Sequence, residues 1–261
     1  MVGRTIWAAL LCTAVTPAQA LLVWAPATPQ GTSHRGTQPL QLRDGSGGRV
    51  EYWLPSLQRR PLALKAGRVT PRPSGANNYH ALVARRRTGN VHESAVRYLF
   101  AFGKPSGHSP SELTAAVKTA LELAPDPLPR EHWHYETGQR ARFVLRYRGR
   151  PQAGVAVRLT SSHGSRLEQR TDARGRVRFQ LPDDFPSVAP GRRKNPPAEL
   201  VLAATYRDGR QVYRTTLSAP YYVNPRHWQS NAAAAAVLAA GFFTGLGVLR
   251  AAGRRRAGGA A

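Results

Sequence analysis

The chain has 261 residues, with 38 Lys and Arg against 14 Asp and Glu, a formal charge of +24, and one cysteine, Cys12. That length allows two small domains with real cores, and the lone cysteine excludes a disulfide framework or a cysteine-built metal site. So basic a surface attracts anions and repels free metal cations, but no aromatic-basic RNA-binding run or helix-turn-helix pattern accompanies it, so a nucleic-acid partner is not expected.

At the N-terminus Arg4 precedes Ile6 to Val15, an uncharged apolar stretch too short to span a bilayer, followed by Thr16-Pro17-Ala18-Gln19-Ala20. This is the pattern of a signal peptide over residues 1–20, cut after Ala20. Residues 25–48 are rich in Pro, Gly, Thr and Ser and read as an irregular lead-in. Val50 to Leu54 is strand-forming and ends at Pro55, and a Pro-rich passage follows at 69–75.

Tyr79 to Ala84 and Val91 to Phe102 flank Thr88-Gly89-Asn90 as the arms of a hairpin. In the second arm Val96, Tyr98, Phe100 and Phe102 alternate with Ala95, Arg97, Leu99 and Ala101, which predicts a strand with one well-buried face. Ser109-Pro110-Ser111-Glu112 supplies a capping box, and Leu113, Val117 and Leu121 at spacing of four predict one short helix near 110–121.

From Leu128 to about Asn224 every signal is β. Phe143, Leu145 and Tyr147 alternate with Arg142, Val144 and Arg146, Thr171-Asp172-Ala173-Arg174-Gly175 is a tight turn into Val177, Phe179 and Leu181, and Asp208-Gly209 joins two strands. Such spacing predicts a mainly β protein: a β-rich region over 21–127 with one short helix, then an immunoglobulin- or transthyretin-like β-sandwich over 128–224.

After a linker at 225–231, Ala232 to Leu249 carries no charge and is followed by Arg250, Arg254, Arg255 and Arg256. Eighteen residues come to about 27 Å, close to the hydrocarbon thickness of a bilayer. The arginines of the 250–261 tail place that end in the cytoplasm, which agrees with delivery of the rest outside it. The expectation is a single-pass protein of a bacterial inner membrane with its main domains in the periplasm. Without Arg4 and the four tail arginines, 33 basic residues face 14 acidic ones, a net +19, in the exported part. Anionic lipid headgroups or lipopolysaccharide phosphates are then the neighbours to expect. Nearly all these bases are arginine, a skew that a GC-rich genome produces with no functional meaning.

Glu131-His132-Trp133-His134-Tyr135-Glu136 is the densest cluster of donors. On a strand His132 and His134 point the same way and could face one borderline metal such as nickel, copper or zinc. His80, His92 and Glu93 on the hairpin arms are the candidates for further ligands; the plain alternative is that both histidines are exposed at a domain junction. Asp183-Asp184 lies in a Pro-rich loop and reads as a solvated turn. Gly191-Arg192-Arg193-Lys194 is a basic loop whose Arg192, Arg193 and Lys194 could touch anionic lipid or a partner. No Gly-x-Ser-x-Gly, His-Glu-x-x-His or phosphate-cradling glycine loop is present, and nothing argues for an enzyme.

Leu121 to Pro125, Gly138-Gln139, Phe143 to Leu145, Gly149-Arg150-Pro151-Gln152-Ala153-Gly154-Val155-Ala156-Val157 and Thr171-Asp172-Ala173-Arg174-Gly175-Arg176-Val177-Arg178-Phe179 together resemble a bacterial periplasmic domain of unknown function known as a nickel-uptake substrate-specific region. The same motifs also resemble carboxypeptidase regulatory-like and other sandwich modules. The resemblance covers roughly 79–224 and implies a membrane-anchored accessory of nickel or cobalt uptake, working beside a transporter permease and binding the metal transiently. Members tend to carry a histidine and an acid before a Trp near the mature N-terminus. Here the corresponding stretch is Ala20-Leu21-Leu22-Val23-Trp24-Ala25-Pro26, which lacks both donors. The reading that competes with uptake is a non-catalytic sandwich docking a partner protein or anionic envelope polymer through its arginines.

Overall fold

The computed structural model describes residues 21–27, 39–45, 47–72, 74–129, 134–229, 242 and 244. The signal-peptide segment 1–20, His132, the 250–261 tail and nearly all of the 232–249 span lie outside the described residues. Among the described residues no helix is long and apolar enough to cross a membrane.

The first stretch builds β1 (Val23–Pro26), β2 (Leu40–Arg43), β3 (Arg49–Trp53), β4 (Arg59–Leu62) and β5 (Arg68–Val69). Two long strands follow, β6 (Ala76–Thr88) and β7 (Val91–Ala101), then β8 (Lys104–Pro105) and a single α-helix, α1 (Pro110–Ala115). After β9 (Leu121–Pro125) come β10 (Tyr135–Glu136), β11 (Arg140–Tyr147), β12 (Arg150–Pro151), β13 (Ala156–Ser161), β14 (Arg166–Arg170) and β15 (Arg176–Gln180). A closing hairpin of β16 (Ala198–Asp208) and β17 (Gln211–Tyr222) completes the order.

These strands form a mainly β molecule of three sheets. The largest runs β14-β13-β16-β17-β7-β6-β3-β4, with β10 on β17 and β8 on β6; a smaller one joins β12, β11, β15 and β9, and a third joins β1, β2 and β5. One core lies between the two larger sheets and includes Val96, Tyr98, Leu123, Phe143, Leu145, Leu159, Leu202 and Leu217. A second lies between the large and the third sheets and includes Leu22, Trp24, Leu40, Leu42, Tyr52, Leu82 and Ala95.

The large sheet crosses the boundary expected at 127/128, because β7 and β17 pair in parallel from Val91↔Val212 to Arg97↔Ser218. Sequence grammar sees each hairpin but not which hairpins lie side by side. The strand β7, expected to bury one face, buries both: Val96 and Tyr98 enter the first core and Ala95 the second. The covering layer is β1, β2 and β5, and all of β2 and the second half of β1 fall in the 25–48 stretch expected to be irregular. Trp24 locks it in place with its indole N–H on the Ala95 carbonyl at 3.2 Å, and Thr216 donates to the Leu22 carbonyl at 2.5 Å. Alternation of large apolar residues fades where the inward position is an alanine or an arginine with a buried partner.

The helix α1 has the predicted capping box at Ser109 and Glu112, but it ends at Ala115 rather than near 121. The Lys118 ammonium donates to the carbonyls of Leu113 at 2.7 Å and Ala116 at 2.9 Å, taking the place of another helical turn. That ammonium is fully buried against Glu122 at 2.6 Å. Burial lowers the Lys118 pKa, and the Glu122 carboxylate opposes that effect. Val117 is left exposed, and Leu121 starts β9 opposite Tyr147 of β11.

Tyr52 is buried in the second core, and burial raises its pKa from 10.0 to about 12, with Arg60 pulling the other way. A phenol whose folded pKa lies above its unfolded value keeps its proton longer in the folded state, so its stability contribution is intact below 10.0 and is lost as pH rises through about 12. Denaturant unfolding across that interval should show stability falling with pH, and Tyr52→Phe should make the fall shallower. An unchanged slope in the variant would place Tyr52 outside the core.

Candidate functional site

The β6–β7 hairpin ends in Gly89-Asn90, with Gly89 at φ 58°, and the β16–β17 hairpin ends in Gly209-Arg210. The two tips are tied together, since the Asn90 amide donates to the Arg210 carbonyl at 2.6 Å. Beside them, where the second sheet gives out at Thr119 to Leu121, lies a cleft of about 590 Å³.

Consecutive residues of the hairpin line it, Arg85 to Arg87 and His92 to Ser94. In β3 and β6, Arg49 stands directly opposite Arg85, and in the hairpin Arg87 stands opposite His92. Successive residues of a strand alternate faces, so Arg85 and Arg87 share one face while Arg86 points to the other. Like charges directly opposite one another destabilise an antiparallel pair. Glu51 offsets part of this through an ion pair with Arg85, and Glu93 takes Arg86 on Oε2, from Nε at 2.8 Å and Nη2 at 2.6 Å. Among the described residues no carboxylate lies in ion-pair range of Arg49, Arg59 or Arg87. Arg59 lies over the Trp53 ring at 5.2 Å, and Arg87 Nε donates to the Gly89 carbonyl at 3.2 Å. What results is a set of planar, permanently charged forks held on a rigid sheet, the arrangement that takes oxyanions two N–H bonds at a time.

Of the residues singled out in the sequence, His92 and Glu93 line this cleft. His92 stacks on Tyr213 at 4.8 Å with its Nε2 at 3.0 Å from the Gln211 side-chain oxygen, and Glu93 is committed to Arg86. His80 does not join them. It faces Leu99, seven residues along β7 from His92, or about 23 Å away. Its ring is buried and stacked on Tyr52 at 5.1 Å, with Nδ1 3.1 Å from the Asn78 carbonyl and Nε2 2.6 Å from the Ser74 hydroxyl. A nitrogen facing a carbonyl must donate, so the neutral ring carries its proton on Nδ1 and spends its lone pair on Ser74. Burial lowers the His80 pKa, with the Asn78 carbonyl opposing, so the ring stays neutral.

His134 lies at the far end of β17, its ring 4.6 Å from that of Tyr222, and the Arg192 guanidinium stands over the same Tyr222 at 5.2 Å. Tyr213 and Tyr222 are nine residues apart on β17, so His134 and His92 are separated by about 30 Å. Among the described residues no three His, Cys, Asp or Glu come together to hold a metal ion. Arg192, Arg193 and Lys194 form a 3-10 turn at the tip of the 186–197 loop, fastened from beneath by Asn195, whose side chain bonds Ala189 and Gly191. The Asp183-Asp184 turn is not simply solvated. Asp184 accepts from the hydroxyls of Ser161 and Tyr221, and although burial alone would raise its pKa, these bonds and one from Ser165 bring it below the usual value.

Arg49, Arg85 and Arg87 were not picked out from the sequence. The signal was the run Arg85-Arg86-Arg87 ending at a glycine turn, and it became a site only once β3 paired beside it.

No known protein family and no curated protein matches this chain. Among solved structures, it is similar over 78% of its length to 49% of a chain described as a Ca2+-stabilized adhesin that helps an Antarctic bacterium reach out and bind ice, at 11% identity and a TM-score of 0.26. It is also similar over 77% of its length to 99% of the D00-D0 domain of Intimin, at 15% identity and a TM-score of 0.24. The chain thus spans about half of the first of these, and likeness this slight carries no argument about function.

If Arg49 and Arg85 repel across the β3–β6 pair, Arg49→Thr should stabilise the protein by roughly 0.2–1 kcal/mol at low salt, with the gain shrinking as salt screens the pair. Chemical denaturation at two ionic strengths measures this, and a variant less stable than the parent at low salt would contradict the repulsion.

Proposed function

We propose that this chain is a non-catalytic β-sheet docking module of a bacterial cell envelope, which binds a multiply charged anionic polymer through the arginine cleft at the β6–β7 turn. One observation carries this reading: Arg49 and Arg85 stand opposite each other with Arg87 beside them and too few carboxylates to neutralise the set. A sheet that only had to fold would gain by replacing one of them. The net charge of +24 supports it by drawing polyanions from a distance. The basic turn at Arg192, Arg193 and Lys194 gives a long polymer a second contact at the other end of β17. The envelope setting rests on the leader-like first twenty residues and on the apolar stretch before the terminal arginines. Docking is preferred to metal presentation because the cleft's donors are almost all guanidinium groups and its two acids, Glu51 and Glu93, are already held by Arg85 and Arg86.

Inorganic polyphosphate is a suitable probe. The full chain should bind it with an affinity that falls steeply as salt rises and is indifferent to chelators. The double variant Arg49→Gln/Arg87→Gln should lose about ten-fold or more, the scale of one charge-assisted hydrogen bond. Equal affinity of variant and parent in a titration, or binding abolished by a chelator, would overturn the proposal.

A further inference from the structure

Because β7 and β17 run parallel, both start at the arginine cleft and both finish at the opposite end of the large sheet, β7 at Ala101 and β17 at Tyr222. Ten strand residues lead from Val91 to Ala101, so the two ends lie about 33 Å apart. The chain does not leave the far end at Tyr222. Thr137 donates its N–H to the Tyr222 carbonyl and accepts the Asn224 N–H on its hydroxyl at 3.1 Å. His227 Nε2 lies 3.1 Å from an Asp183 carboxylate oxygen, and Gln229 N–H donates to the Pro225 carbonyl at 2.9 Å. The backbone is thus held at this end as far as Gln229. Three peptide steps then lead to Ala232, where the uncharged stretch to Leu249 begins, no more than about 11 Å away even at full extension.

What this end presents is aromatic and basic. Phe102, the residue after β7, is 73% exposed, with its ring edge-on to Phe100 at 5.2 Å. Lys104 is exposed two residues on, in the short strand β8 that pairs with the start of β6. Beyond β17, Arg226 is exposed and Trp228 is half-buried, four residues before Ala232. The basic turn of Arg192, Arg193 and Lys194 adds its charge to the same end, since Arg192 stands over Tyr222. Of the acids nearby, Glu199 is taken by Arg97, Asp183 faces His227, and Asp184 accepts from the hydroxyls of Ser161 and Tyr221. Glu136, beside Tyr222, is left against five exposed cations. One exposed phenylalanine on a surface needs no explanation by itself. Here it shares an end with exposed cations and a tryptophan, just where an uncharged stretch begins, which is the composition of a bilayer interface: aromatic rings settle at headgroup depth and Lys and Arg meet lipid phosphates.

We propose that the end of the large sheet at Ala101 and Tyr222 docks onto an anionic bilayer surface, with the Phe102 and Trp228 rings at headgroup depth and Lys104 and Arg226 on lipid phosphates. The inference rests on the envelope setting proposed above and adds an orientation to it. The strands β7 and β17 stand up from the bilayer and carry the arginine cleft about 33 Å off its surface, where a polymer can reach it.

Tryptophan fluorescence of the full chain in vesicles of phosphatidylcholine and phosphatidylglycerol, with and without bromine on the acyl chains, tests this. Phe102→Trp adds an indole at an exposed site, so the variant should fold; read as the difference from the parent, that indole should lose emission about two-fold in brominated vesicles. Val117→Trp is the control at the cleft end, where Val117 is 55% exposed next to Lys118, whose carbonyl accepts from Arg85, and its added indole should keep its emission. Adding Lys104→Gln/Arg226→Gln to Phe102→Trp, or using phosphatidylcholine alone, should restore most of the lost emission. A chain that does not float with the vesicles would overturn the envelope setting and this proposal together. A chain that floats, but whose added indole at position 102 is as bright in brominated as in ordinary vesicles, would overturn this proposal alone. Equal quenching at positions 102 and 117, or quenching indifferent to lipid charge, would overturn it as well.

Discussion

The parallel ladder between β7 and β17 is the constraint on which the rest of the structure depends. Parallel neighbours cannot be joined by a tight turn and need a long crossover. Here the crossover is the chain between the two strands, and it is long enough to build α1, the four strands of the second sheet and the β13–β14 pair. The strands β17, β16, β13 and β14 therefore continue the N-terminal sheet from its β7 edge. Arg97 ties the arrangement together by reaching from β7 past β17 to Glu199 on β16, a two-bond ion pair that satisfies a charge which would otherwise be buried alone.

Because β6 and β7 are covered on both faces, their ends make a stiff platform. Trp24, Leu82 and Ala84 support the hairpin from one side, while Val96 and Tyr98 pack into the core on the other. This support lets β3 and β6 hold two arginines directly opposite each other, a local cost that the surrounding burial offsets. The same rigidity lets the sheet split at Arg97 without collapsing, because β17 acquires β10 as a substitute neighbour as soon as it loses β7.

The regular part of the fold was legible in the sequence. Phe143, Leu145 and Tyr147 in β11, Val177 and Phe179 in β15, and the Gly89 and Gly209 turns obey local rules, and so does the capping box at Ser109. What escaped depended on contacts distant in sequence. The strands β1 and β2 are four residues each, and they exist as strands because β7 offers a face for Trp24 and Leu42 to bury. Lys118 carries no local sequence signal of burial, yet it caps α1 and ends it. The histidines were the conspicuous candidates, but His80 is a core residue satisfied by Ser74 and Asn78, while the less conspicuous Arg85 and Arg87 acquire meaning from the register that brings Arg49 beside them.

The claim that both halves of the chain share one sheet is tested most directly by amide hydrogen exchange on the full chain in increasing denaturant. The amides of β7 between His92 and Arg97 and those of β17 between Tyr213 and Ser218 should lose protection together, in one opening that also releases β11. Loss of protection in β3, β6 and β7 at a lower denaturant concentration, with β16 and β17 still protected, would mean two units that fold separately and would contradict the shared sheet.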